Sequence, residues 1–229
     1  MDINYLSVGA IVLFIVMTVR GYRRGFLRMV VTFLGTILIL SAAKRVSPYI
    51  SEYMINNTST YETVQEKITE KFAEANQRYD NTIPENQAMT IEGYDLPDLL
   101  KNNLLLNNTK EMYNALLVSV FEEYVSAYLA KTAIKAMAFV IVFIVFIVAF
   151  KILLFVVDII SKIPIIRGIN EFVGACLGFI ESLIIVWVFF FIVVMFIGNN
   201  SGSVLFSMIA SSKFLSFLFN TNLLLGIIS

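Results

Sequence analysis

The sequence predicts an all-α membrane protein: four transmembrane helices, an extracytoplasmic helical insertion between the second and third, and an amphipathic C-terminal tail. Three observations carry this. Of 229 residues, 58% are apolar and only 15% charged, with a mean hydropathy of +0.80, whereas soluble domains average roughly 45–50% apolar and about 25% charged. Four stretches approach or reach the roughly 20 apolar residues that cross about 30 Å of hydrocarbon. The polar residues, finally, are concentrated in one block, 46–130.

The first stretch, 5–19, is apolar apart from Ser7 and Thr18. It reads as a retained helix rather than a signal peptide, because no cation precedes it and Arg20, Arg23 and Arg24 follow it. The second, 26–43, is interrupted by Arg28, Thr32, Thr36 and Ser41. The third, 132–150, is the most continuously aliphatic and aromatic, and the fourth, 172–197, is broken by Glu181 and Ser182. Lys and Arg in short loops orient such helices. Arg20, Arg23, Arg24 and Arg28 stand without an acid between the first two helices. The 151–171 link carries Lys151, Lys162 and Arg167 against Asp158 and Glu171. Both links are expected in the cytoplasm, with the chain ends and 46–130 outside; Lys44, Arg45, Lys131 and Lys135 flank the outer boundary.

The 46–130 segment has 13 acids and 5 bases, a net charge of 5 − 13 = −8. Such a segment repels nucleic acid, so no nucleic-acid partner is expected. Tyr61, Val64, Ile68, Phe72, Ala75 and Tyr79 recur at helical spacing and predict an amphipathic helix over 60–79. Pro84, Gly93 and Pro97 mark 81–97 as a loop, and Asp98 is placed to cap a following helix. Tyr113, Leu117, Val120, Tyr124 and Tyr128 again step helically, so a helix starting near Thr109 is expected to run unbroken into the third span. The glycosylation acceptor patterns at Asn56, Asn57 and Asn107 have meaning only in a host that uses them. The organisation expected is therefore 1–45 (spans 1 and 2), 46–130 (acidic helical segment), 131–198 (spans 3 and 4) and 199–229 (interfacial tail).

Most familiar chemistry is excluded. The chain has no His and one Cys, Cys176, which leaves no catalytic residue, metal site or cofactor site to assign and no disulfide. No P-loop, dinucleotide fingerprint or serine elbow occurs. What remains is packing and intramembrane charge. Gly174 and Gly178 form G-x-x-x-G in an apolar helix, the spacing that lets another helix backbone approach. Glu181, seven residues past Gly174, projects from the same face. A carboxylate inside a span is costly unless paired, protonated or facing water; Arg28 is its natural intrachain partner, forming a candidate intramembrane charge pair, with a neutral Glu181 or a proton or cation relay as the alternatives. Gly21 to Gly25 has the same glycine spacing but, amid arginines, reads as a tight turn.

Two places resemble a known family. Arg24-Gly25-Phe26-Leu27-Arg28 leading into the second apolar helix, and Asn170-Glu171-Phe172-Val173-Gly174-Ala175-Cys176-Leu177-Gly178 at the start of the fourth, are similar to the colicin V production protein (CvpA) family of bacterial inner-membrane proteins. The resemblance covers roughly 1–50 and 130–200, with Arg24, Gly25 and Arg28 as its motif residues. It implies four transmembrane helices and a role in toxin or bacteriocin production and secretion. The chain departs from it at Glu181-Ser182, where the family places a basic residue and a glycine, and in the length of 46–130.

The tail 199–229 carries brief apolar runs among Ser and Asn, with Lys213 its one charge, and is expected to lie at the interface as a short amphipathic helix, with a re-entrant hairpin as the alternative. The function expected is a non-enzymatic accessory or scaffold in a bacterial inner membrane, partnered by the lipid bilayer and by a membrane protein or further copies of itself. The alternative is a small oligomeric transporter or channel using Glu181 and Arg28.

Overall fold

The computed structural model describes residues 4–24, 26–158 and 167–225, which form ten α-helices and no strand. In chain order these are α1 (Tyr5–Arg24), α2 (Phe26–Asn57), α3 (Thr60–Asn76), α4 (Pro84–Glu92), α5 (Asp98–Leu106), α6 (Lys110–Leu116), α7 (Phe121–Asp158), α8 (Arg167–Met195), α9 (Asn200–Ser211) and α10 (Lys213–Asn220). Four of them, α1, α2, α7 and α8, are long and apolar enough to cross a membrane. The all-α, four-span class read from the sequence is the class observed.

The spans form a bundle in which α1 lies chiefly along α8, α2 packs on α7 and α8, and α7 packs on α8. Phe139 of α7 stacks on Phe191 of α8 with ring centroids 4.5 Å apart. Phe190 meets Phe219 of α10 at 5.0 Å. Exposed apolar side chains such as Val12, Leu38 and Val145 line the outside. In water that surface would be a liability; against acyl chains it is the expected finish of a membrane protein.

Two helices outrun the bilayer. At 32 and 38 residues, α2 and α7 rise about 48 and 57 Å at roughly 1.5 Å per residue, well beyond about 30 Å of hydrocarbon. The boundaries expected at 45/46 and 130/131 therefore fall inside continuous helices. α2 continues through Pro48, where the buried Ser51 hydroxyl donates to the Pro48 carbonyl at 2.9 Å.

Between these projections sits the acidic segment, more structured than its composition suggests. The apolar face of α3 lies along α7, with Ile68 and Phe72 buried. α3 ends at Asn76, short of the expected 79; there the Asn76 backbone carbonyl accepts from the Asn81 side chain and its side-chain oxygen accepts from the Tyr94 hydroxyl. The expected 81–97 loop contains α4, which begins on Pro84; a proline at the first helical position lacks only an N–H that has no intrahelical partner anyway. Nor is the helix from Thr109 continuous. α6 stops at Leu116, Leu117 turns left-handed at φ 57°, and α7 starts at Phe121. Leu117 is 93% exposed, so the expected apolar stripe breaks there.

One residue ties this segment together. Asn81 donates to the Asn76 carbonyl at 2.7 Å and to Glu122 Oε1 of α7 at 3.0 Å. Its side-chain oxygen accepts from the Thr90 hydroxyl at 2.7 Å, and its backbone carbonyl accepts from Gln87 at 2.7 Å. Tyr124 then donates to the Leu104 carbonyl at 2.6 Å, holding α5 on α7. Around these bonds Phe72 packs on Tyr94 at 4.5 Å and Tyr113 stacks on Tyr124 at 4.9 Å.

The tail is two short helices rather than one. α9 and α10 meet at 105°, because Ser212 is extended and caps α10, its hydroxyl accepting from Leu215 N at 3.3 Å. Asn4 and Ser7 at the start of α1 hold this corner, through Asn4 Nδ2 to the Met208 carbonyl at 2.6 Å and Ser7 to Ser212 at 2.8 Å. At its far end α10 reaches α5, Leu99 N donating to Asn220 at 3.2 Å. The start of α1, the acidic segment and the tail thus share one end of the bundle.

Candidate functional site

Of the sequence-derived site residues, Gly174, Gly178, Glu181 and Arg24 lie along the seam between α1 and α8. These helices run antiparallel: Phe14 packs on Phe179 at 4.9 Å, while further toward the other end Gly21 faces Gly174 and Gly178. Contact there is backbone to backbone. A Cβ on Gly21 would collide with the Gly174 carbonyl and stand 3.1 Å from Gly178 Cα. One on Gly178 would collide with the Met17 carbonyl and stand 3.3 Å from Gly21 Cα. Gly174 and Gly178 are both buried, and the helix they seat against is α1. Gly21 lies within the helix, not in the turn read from its glycine–arginine context, because α1 stays helical through Arg24. Close approach of small residues is how helices associate where lipid removes the hydrophobic drive.

Next along α8 comes Glu181, half-buried. Among the described residues the charges that act on it come from Arg20 and Arg24 of α1. Arg24, a motif residue, is thereby placed at the site. Gly25 and the Arg28 side chain lie outside the described residues, so the pairing expected between Glu181 and Arg28 does too. The adjacent Ser182 is buried and donates to the Phe179 carbonyl at 2.6 Å. At the same end of the seam, Glu171 of α8 lies close enough to the Tyr22 hydroxyl of α1 to act on it. Arg20 and Glu171 were read from the sequence only as loop charges, Glu171 also within the family-like stretch, and none of Arg20, Tyr22 and Glu171 was assigned to this site. An antiparallel register brings them together, and no local pattern encodes that register.

Chemically, the seam is a tight helix–helix contact with a half-buried carboxylate at one end, on which the charges of Arg20 and Arg24 act. Among the described residues no three His, Cys, Asp or Glu side chains gather to hold a metal ion. Outside the spans, Tyr94 and Tyr113 have raised pKa values, from burial first and the nearby Glu122 charge second. Asp80 is lowered by hydrogen bonds from Thr82, whose hydroxyl donates to it at 2.6 Å.

These features define the class: an all-α membrane protein with four span-length helices, two of which carry a folded acidic segment at one end. Residues 112–222 match the model of a family described as colicin V production protein. The match takes in α7, α8 and the bent tail, and includes Asn170 to Gly178; the Arg24 to Arg28 motif lies N-terminal to it. No curated protein and no solved structure matches the chain.

Proposed function

We propose that this chain is a non-enzymatic accessory or scaffold of the bacterial inner membrane, serving toxin or bacteriocin production, secretion or envelope homeostasis, with the acidic segment on the extracytoplasmic side. One observation carries the reading: α2 and α7 pass without a break from the spans into the acidic segment. A platform presented on rigid helices suits a protein that positions a partner. The family domain supports the link to colicin production, and the arginines from Arg20 to Arg28 support the orientation. The partner is a membrane protein or further copies of the chain, held in the lipid bilayer; the −8 charge of the segment disfavours nucleic acid.

A second reading, a small oligomeric transporter or channel using Glu181 and Arg28, is favoured by one feature: a half-buried carboxylate within a span, facing arginines. One experiment separates the two. In a toxin-producing strain lacking the chain, toxin released to the medium is measured after supplying the unchanged protein or the Glu181→Gln variant. A scaffold restores release in both; a carboxylate-dependent conduit restores it only with Glu181. In a Cys176→Ser background, Asp80→Cys should react with a membrane-impermeant maleimide added outside; labelling only from the cytoplasmic side inverts the proposed orientation.

A further inference from the structure

Cations stand at both ends of the bundle, and packing fixes the depth of those at the tail end. At 20 residues, α1 is the shortest span and rises about 30 Å, the thickness of the hydrocarbon itself, so the membrane edges fall at its two ends. Three contacts between antiparallel neighbours carry the level of Tyr5 across the bundle: Phe14 of α1 on Phe179 of α8, Phe191 of α8 on Phe139 of α7, and Phe150 of α7 over Gly35 of α2. Counting residues from each in turn, Tyr5 is level with Val188, then Val142, then Ala43. Lys44 and Arg45 therefore stand at that edge, and both are exposed. Exposed Lys213 comes within a turn or two of it, because Ser212 bonds to Ser7 at 2.8 Å and Phe214 meets the Phe14 ring at 6.2 Å; a lysine stem spans the remainder. Tyr5 and Tyr49, the latter one turn beyond Arg45 on the same face, are 76% and 74% exposed, and amphipathic rings of this kind sit at headgroup level. On the helices that reach this edge, Glu181 lies seven residues deeper on α8, and the tail has no acid. Asp98 meets Asn220 at the opposite end of α10 from Lys213. The edge is thus locally cationic beneath a segment of net charge −8, which an anionic surface would repel.

We propose that Lys44, Arg45 and Lys213 form a collar that binds the phosphate headgroups of anionic phospholipid in the leaflet beneath the acidic segment, with Tyr5 and Tyr49 seated among them. The collar sets the depth of the bundle and keeps against the membrane a segment whose own charge opposes it. It requires only the four spans and holds on either face of the membrane. The test uses the full chain in bilayer discs, with phosphatidylglycerol or phosphatidylcholine carrying a photoreactive group beside the phosphate, and maps labelled peptides by mass spectrometry. Over 41–49 and 211–217 the label should favour phosphatidylglycerol. That preference should fall about fivefold for each cation removed nearby, as Lys44→Gln and Arg45→Gln act on 41–49 and Lys213→Gln on 211–217. Lys44→Arg and Lys213→Arg should keep it, and label over 20–24 at the opposite end should not change. Equal labelling by the two lipids, or a preference undiminished when all three cations are replaced by Gln, overturns the collar. So does a fall matched over 20–24, since the loss would then belong to the whole bundle.

Discussion

Gly21 of α1 and Gly178 of α8 face each other so closely that a methyl group on either collides with the other helix's backbone or that of its neighbours. Backbone cannot rotate away as a side chain can, so the obstruction must move a helix. Gly21→Val and Gly178→Val are each expected to cost roughly 1–3 kcal/mol, toward the upper end of the range for overpacked sites. Gly9→Ala, with open space around it, should be neutral. Thermal unfolding in detergent, compared across the three variants, checks this; equal melting temperatures would mean that the seam does not hold α1 in place.

Asn81 joins Asn76, Thr90 and Glu122, and is itself buried. Its replacement by Ala strips several polar groups of a partner at once, at about 1–3 kcal/mol for a group left unsatisfied. The loss should be local. Amide hydrogen exchange is expected to quicken in α4 and α5 and to stay slow in the membrane part of α7; uniform quickening would mean that the segment and the bundle unfold as one.

Tyr94 gives the acidic segment an alkaline limit. Burial, and then the Glu122 charge, raise its pKa above the ordinary value of 10.0. A group raised in the folded state contributes stability that is complete below the unfolded value and is lost as pH climbs through the folded one. Urea denaturation followed by tyrosine absorbance should therefore show a midpoint that is flat from neutral pH to about 10 and falls above it. Tyr94→Phe should start lower, having lost the bond to Asn76, and fall less steeply; an identical slope would assign the alkaline loss elsewhere.

Leu117 occupies the left-handed region at φ 57° with its side chain 93% exposed. It gains little from packing and bears the crowding between Cβ and the carbonyl, roughly 1–2 kcal/mol for an L-residue. Leu117→Gly should raise stability by about 1 kcal/mol in the same denaturation measurement. A loss would show that the freedom glycine gives the unfolded chain outweighs the crowding it relieves.

That residue also marks where the sequence stopped being legible. The spans and the buried face of α3 could be read because burial in lipid or on α7 imposes long runs or a repeating step, and both survive in one dimension. Leu117 fits the helical step of Tyr113, Tyr124 and Tyr128, yet the chain turns there to bring α6 back against α7; periodicity cannot distinguish a continued helix from a broken one in phase. Pro84 was read as punctuation although it opens α4. At the seam, the glycine spacing in α8 was plain, but the partner helix was not: Gly21 was hidden among arginines, and the charges of Arg20 and Arg24 reach Glu181 through a register that only packing sets.

The last prediction concerns the tail. Trp187 of α8 donates to the Leu218 carbonyl at 3.1 Å, and Asn222 returns a bond to the Trp187 carbonyl at 3.1 Å. Two bonds of opposite direction thus strap α10 to α8, with Leu215, Leu218 and Phe219 buried beneath and Phe217 exposed above. Trp187 is the only tryptophan in the chain, so its emission reports the strap without added labels. Asn222 is 4% exposed and also accepts from Leu224 N at 3.0 Å. Asn222→Ala removes the bonds to the Trp187 carbonyl and from Leu224 N, a loss of about 0.5–1.5 kcal/mol for each, falling on the tail that carries α10. Trp187 emission should shift to longer wavelength, and protease added on the tail side should cut near residue 212 sooner, while the spans melt as before. If α9 and α10 together crossed the membrane as a bent fifth span, that protease would find no cut to make and the emission would stay in place.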